Sequence, residues 1–128
     1  MTAISAAALY TGVNILFLFF LSFRVVGGRM RTKVSIGSGG DSDLELRMRA
    51  HGNAAEYIPA CMLGLFVLAQ FPLPVWAIHG LGSVFTLGRV LHAFGLSTTA
   101  LWARQFGMIL TWLGMLGIGA AVIYVSVV

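Results

Sequence analysis

The chain has 128 residues, of which 59% are hydrophobic and only 9% charged, and its mean hydropathy is +0.93. A soluble domain carries about 25% charged residues to hydrate its surface, and four acids and eight bases cannot do that for a globule of this size. An ordinary water-soluble enzyme is thereby excluded, and one short unit spanning residues 1–128, facing lipid or other helices, is implied.

The first apolar run covers about residues 3–26 and includes the stretch from Ile15 to Phe23, with only Asn14 and Arg24 as interruptions. It is long enough to cross a bilayer at about 20 residues per span. Its basic charges follow the apolar run instead of preceding it, so it reads as a retained helix and not as a signal peptide. Residues 27–42 are basic, then rich in Gly and Ser, and form the one real loop.

A second helix is expected over about 43–71, opened by Ser42 and Glu45 as a capping box and ended by Pro72 and Pro74. At 1.5 Å per residue it is about 42 Å long, more than a hydrocarbon core of about 30 Å, so its charged start protrudes. Pro74 suits the first turn of a third helix, to about residue 96. Ser97, Thr98 and Thr99 make a turn and supply a cap, and a fourth helix covers about 100–127. The fold class is therefore an all-α membrane protein, an up-down four-transmembrane-helix bundle.

A pI near 10 raises nucleic acid as a partner, but the basic residues gather at helix ends and read as topology determinants; no nucleic-acid partner is expected. Arg24, Arg29, Arg31, Lys33, Arg47 and Arg49 flank the first loop, and Arg89 and Arg104 flank the last turn, which lies on the same side. The positive-inside rule then puts this side in the cytoplasm and both termini outside, most simply in a bacterial inner membrane. Small residues four apart, Ala60 with Gly64 and Gly117 with Ala121, predict close helix approach. Cys61, alone in an apolar run, reads as a packing residue.

Within the last three spans the notable polar residues are Asn53, Glu56, Arg89, His92, Arg104 and Gln105. An ionisable group at membrane depth costs at least about 2.5 kcal/mol and needs a partner, an interface or a function. Arg49, Asn53 and Glu56 share one face of the second helix, and Arg89 and His92 share one face of the third. Glu56 and Arg89 fall at one depth, which predicts a Glu56–Arg89 ion pair, with Arg104 joining the same layer. More cations than one Glu neutralises imply a negatively charged ligand. Near a helix N-terminus, Arg104 suits an anion such as a thiolate. His51, His79 and His92 lie on different helices, so no metal site is expected.

The segment RMRAHGNAAEYIP, Arg47 to Pro59, resembles the helix 2 motif of the MAPEG family, the membrane-associated proteins in eicosanoid and glutathione metabolism. GRVLHAFG, Gly88 to Gly95, resembles that family's helix 3, and Arg104 falls where its helix 4 arginine does. The resemblance covers essentially the whole chain and implies a homotrimer with glutathione, as cosubstrate, bound between neighbours near the cytosolic face. It assigns glutathione contacts to Arg49, Asn53 and Glu56, with Tyr57, Arg89, His92 and, from the end of helix 1, Arg29. Arg104 takes the catalytic role of stabilising the thiolate.

Some positions depart from the family pattern: Gly52 stands where a prostaglandin synthase of the family has Arg, His92 and Leu96 replace tyrosines, and Gln105 replaces a serine. The resemblance thus implies a general glutathione transferase or peroxidase acting on small lipophilic electrophiles or hydroperoxides, which enter from the bilayer between helices 1 and 4. The alternative is a membrane protein of this fold that binds a lipid or thiol without turnover. A small multidrug transporter would need a Glu in the first helix, where only Asn14 and Arg24 are polar.

Overall fold

In the computed structural model, which describes residues 1–128, the chain forms four helices and no strand: α1 (Ala3–Thr32), α2 (Ser42–Leu68), α3 (Val75–Thr98) and α4 (Leu101–Val127). Every pair of helices is in contact except α1 and α4. α2 and α3 therefore occupy the short diagonal of the bundle, and α1 and α4 stand at opposite corners. A site between α1 and α4 cannot form within one chain.

The distribution of apolar residues identifies the solvent. α1 and α4 each contain a span of mean hydropathy 2.0, and only 22% and 17% of those spans are buried. Phe19, Phe20, Phe23, Trp102, Phe106 and Trp112 are each more than half exposed. Meanwhile Asn14, Arg89, His92 and Thr111 are buried. Polar groups inside and aromatic groups outside is the arrangement of a bundle in lipid, where every polar group needs an internal partner.

The helix ends differ from expectation in physically simple ways. α1 continues to Thr32, well beyond residue 26, because hydropathy marks where the bilayer ends and basic residues are good helix formers in water. Lys33 stops it in the left-handed conformation, φ 57°. The capping box does not form: the N-cap of α2 is Asp41, whose carboxylate accepts from the Leu44 amide at 2.8 Å. α2 ends at Leu68, ahead of the prolines, and α3 runs on to Thr98, so Ser97 and Thr98 are helical. Ala100 precedes α4 with no side-chain cap, contrary to the expected role of the preceding hydroxyls.

The connection from Lys33 to Asp41 is tied down by charge. Arg31 reaches Asp41 at 2.8 Å and Asp43 at 3.2 Å, and Arg47 lies 2.9 Å from Asp43. The bond donated by Arg31, helped by the Leu44 amide, holds the Asp41 carboxyl below the usual carboxylate range.

α3 and α4 pack backbone to backbone along a seam of glycines spaced seven apart on each helix, Gly88 and Gly95 against Gly107 and Gly114. A Cβ on Gly88 would lie 2.6 Å from the Thr111 nitrogen, and one on Gly114 would lie 2.9 Å from the Phe85 Cβ. Of the small residues noted in the sequence, Gly64 meets the Ile118 side chain and Gly117 that of Leu81, while Ala60 is exposed; the backbone-to-backbone approach lies on the α3–α4 seam instead. α1 is joined to α3 by a polar ladder. The Tyr10 hydroxyl shares hydrogen bonds with Ser83 Oγ at 2.6 Å and His79 Nδ1 at 3.1 Å. Asn14 Nδ2 donates to Thr86 Oγ1 at 2.8 Å. Nearer the loop, Arg24 donates to Ser97 Oγ at 2.6 Å, and its carbonyl accepts from Arg47 Nη1 at 3.0 Å.

Candidate functional site

The helical spacing of α2 sets Arg49, Asn53 and Glu56 on one face, and α3 and α4 bring His92, Leu96 and Arg104 opposite them. Together with Gly52 these residues line a cleft of about 320 Å³ in which Leu96 is the one hydrophobic member. That volume sits at the lower end of the roughly 300–1,000 Å³ typical of small-molecule sites. Gly52 leaves open space, since an added Cβ there would touch nothing.

The cleft is built from charges that the fold does not consume. The side chains of Arg49, Glu56 and Arg104 are exposed and take part in no ion pair; the three in the chain all lie around the first loop. Arg104 stands in the first turn of α4, where free backbone amides add to its positive field. Two guanidiniums and one carboxylate therefore face a shared space.

Arg89 is not one of them. It is 1% exposed and lies behind the cleft. Its Nε donates to Thr111 Oγ1 at 2.9 Å and its Nη1 to Asn53 Oδ1 at 2.6 Å. Its Nη2 is 3.6 Å from the Met108 sulfur, and the Tyr57 ring packs 5.0 Å from its Cζ. The expected Glu56–Arg89 ion pair is absent. Equal depth puts the two residues in one layer, but it is Asn53 that meets Arg89, while Glu56 lines the open cleft.

Of the eight residues singled out in the sequence, the fold gathers Arg49, Asn53, Glu56, His92 and Arg104 in one cleft. Arg89 and Tyr57 support it from behind. Arg29 stands apart: its Nη1 donates to the carbonyls of Gly37 at 2.9 Å and Val34 at 3.3 Å, closing the first loop. Thr111 escaped the sequence reading. Its hydroxyl receives Arg89 and donates to the Gly107 carbonyl at 2.8 Å. The available signal was a lone hydroxyl, four residues after a glycine, in an apolar run.

An apolar groove of about 670 Å³ adjoins the cleft, sharing Asn53, His92 and Arg104 with it and extending along α4 past Leu101, Met108, Ile109 and Trp112. It opens on the outer face of α4, the corner opposite α1.

Comparison with known proteins agrees with this architecture. The MAPEG family model matches residues 7–124. The inner membrane protein YecN of Escherichia coli (strain K12) is 36% identical over 110 residues, which is 86% of this chain and 84% of that protein. YecN of Escherichia coli O6:H1 (strain CFT073) matches to the same extent. With four helices, a polar layer across the last three and a match over nearly its whole length, the chain belongs to the MAPEG family of membrane proteins.

Proposed function

We propose that the protein is a glutathione-dependent transferase or peroxidase acting on lipophilic electrophiles or hydroperoxides at the membrane. The observation that carries this reading is the unpaired charge in the cleft: Arg49 and Arg104 against Glu56, none with a partner in the chain. Glutathione has the complementary set, two carboxylates and one ammonium, and its thiol becomes a further anion when it is activated. Members of this family use glutathione.

In this reading Arg49 and Asn53 hold the peptide's oxygen atoms, Glu56 its ammonium, and Arg104 its sulfur. His92 bounds the pocket beside the thiol. Arg104 and the first turn of α4 favour thiolate over thiol. The thiolate attacks an electrophilic carbon in the adjoining groove, forming a C–S bond as a leaving group such as chloride departs with the bonding pair. With a hydroperoxide, two glutathiones give the disulfide while the peroxide becomes an alcohol and water. Proximity of the thiolate to the electrophile supplies the acceleration.

A homotrimer completes the arrangement. α1 and α4 of one chain do not touch, so a groove bounded by both requires α1 of a neighbour, and Arg29 would approach the ligand only from there. All eight Lys and Arg residues lie toward the end that carries the first loop and the α3–α4 turn, which favours that end in the cytoplasm and both termini outside a bacterial inner membrane.

A second reading, a member that binds thiol or lipid without turnover, is favoured by Gln105 beside Arg104 and by His92 and Leu96 in the cleft, none of which offers a hydroxyl to a reacting atom. One experiment separates the two. Purified protein is titrated with glutathione and with other low-molecular-weight thiols while thiolate absorbance is followed. Conjugation of a chloronitroarene and reduction of a lipid hydroperoxide are then measured. Selective glutathione binding with turnover is expected. Binding without turnover establishes the second reading, and no binding of any thiol removes both.

A further inference from the structure

The contact between Arg89 and Asn53 fixes the chemical polarity of the cleft. A guanidinium has five N–H donors and no acceptor. The Asn53 side-chain atom 2.6 Å from Arg89 Nη1 is therefore its oxygen. Asn53 Nδ2 is then turned the other way. It makes no hydrogen bond within the chain, it is not among the buried polar atoms lacking a partner, and Asn53 lines both the cleft and the adjoining groove.

Arg89 is itself held from a second side. Thr111 accepts from its Nε, and the Thr111 hydroxyl is oriented by donating to the Gly107 carbonyl. Arg89 is the donor at the centre of this chain of hydrogen bonds: on one side it donates to Thr111, which donates on to the Gly107 carbonyl of α4, and on the other it donates to Asn53. An amide that would otherwise rotate by half a turn has one permitted orientation.

We infer that Arg89 is a positioning residue that sets Asn53 to donate, so that this point of the cleft takes a carbonyl or carboxylate oxygen of the ligand and rejects a donor. The inference rests on the reading of the cleft as a glutathione site and adds the sense of one hydrogen bond to it. Asn53→Asp is the discriminating change. An aspartate keeps an oxygen toward Arg89, and the buried contact becomes an ion pair, so the fold is retained. The atom facing the ligand changes from a donor to a charged acceptor.

The test is glutathione binding by calorimetry on the full-length protein in detergent, with thermal stability read on each variant. The Asn53 side-chain amide signal is followed by nitrogen NMR and assigned by its loss in Asn53→Asp. Parent protein is expected to bind glutathione and to shift that amide signal. Asn53→Asp is expected to melt no lower than the parent and to bind at least about tenfold more weakly, the cost of replacing a charge-assisted bond by repulsion. In Arg89→Lys, which keeps the charge but not the fork of donors, the amide signal is expected to respond less to glutathione even where the protein stays folded. Equal binding by Asn53→Asp and the parent overturns the inference while leaving the glutathione reading intact. A parent that binds no glutathione overturns both.

Discussion

The backbone of Gly95 on α3 lies so close to Arg104 on α4 that a Cβ on the glycine would overlap the Arg104 amide nitrogen and come within 2.7 Å of its Cα. The proposed thiolate-stabilising residue is therefore positioned by main-chain contact, with no adjustable side chain between the helices. Gly95→Ala forces the helices apart, and overpacking of this kind typically costs about 1–3 kcal/mol. The expected outcome is a lower melting temperature together with a loss of thiolate absorbance. Gly80→Ala, at an open position on the same helix, is expected to change neither.

Arg104→Ala removes a guanidinium that no other side chain engages, so stability is expected to hold. Its effect belongs to the ligand. If Arg104 and the helix terminus lower the thiol pKa by about two units from its ordinary value near 8.5, losing most of that shift reduces thiolate at neutral pH by more than tenfold. The measurement is thiolate absorbance against pH with saturating glutathione. Arg104→Lys should recover part of the band. A band unchanged in Arg104→Ala would remove this residue from the proposed chemistry.

Glu56→Gln separates ligand recognition from folding. The carboxylate has no ion-pair partner in the chain, so its melting temperature is expected to match that of the parent. Glutathione should bind more weakly, because its ammonium loses a countercharge. An analogue of glutathione lacking the amino group should bind parent and variant alike. Equal loss for both ligands would show that Glu56 shapes the cleft and does not meet the ammonium.

Asp41 gives a pH dependence far from the cleft. Its folded-state pKa is depressed, by the Arg31 bond first and the Leu44 amide second. The tie is thus complete above the ordinary carboxylate range and is lost as pH falls through the depressed value. The Leu44 amide resonance is expected to titrate in acid in the parent. In Asp41→Asn, which keeps a capping oxygen but carries no charge, that titration should disappear.

Much of this molecule was legible in its sequence because lipid simplifies the reading. Long apolar runs gave four helices, and the polar residues among them gave a layer that the structure assembles as a cleft. What escaped was rotation about helix axes. Depth along a helix follows from counting residues, but the pairing of Arg89 with Asn53, and not Glu56, depends on how α2 turns against α3. Ends were misplaced for a different reason. The extension of α1 to Thr32 lies in water, where hydropathy is silent, and the cap is Asp41, which Arg31 also reaches across the loop, in place of Ser42.

The ladder between α1 and α3 bears on how the chain finds its fold. Apolar helix faces in lipid slide past one another with little penalty, since any methyl group contacts another hydrocarbon as readily as its intended neighbour. Tyr10 sits in the notch left by Gly82 while bonding Ser83 and His79, and Asn14 bonds Thr86 one turn further along. A slip of α1 by one residue, about 1.5 Å along the axis with a turn of about 100° about it, removes the tyrosine from its notch and strands Asn14 in hydrocarbon. These few hydroxyl and amide groups work as a key, giving the first helix a single seat in which to stop.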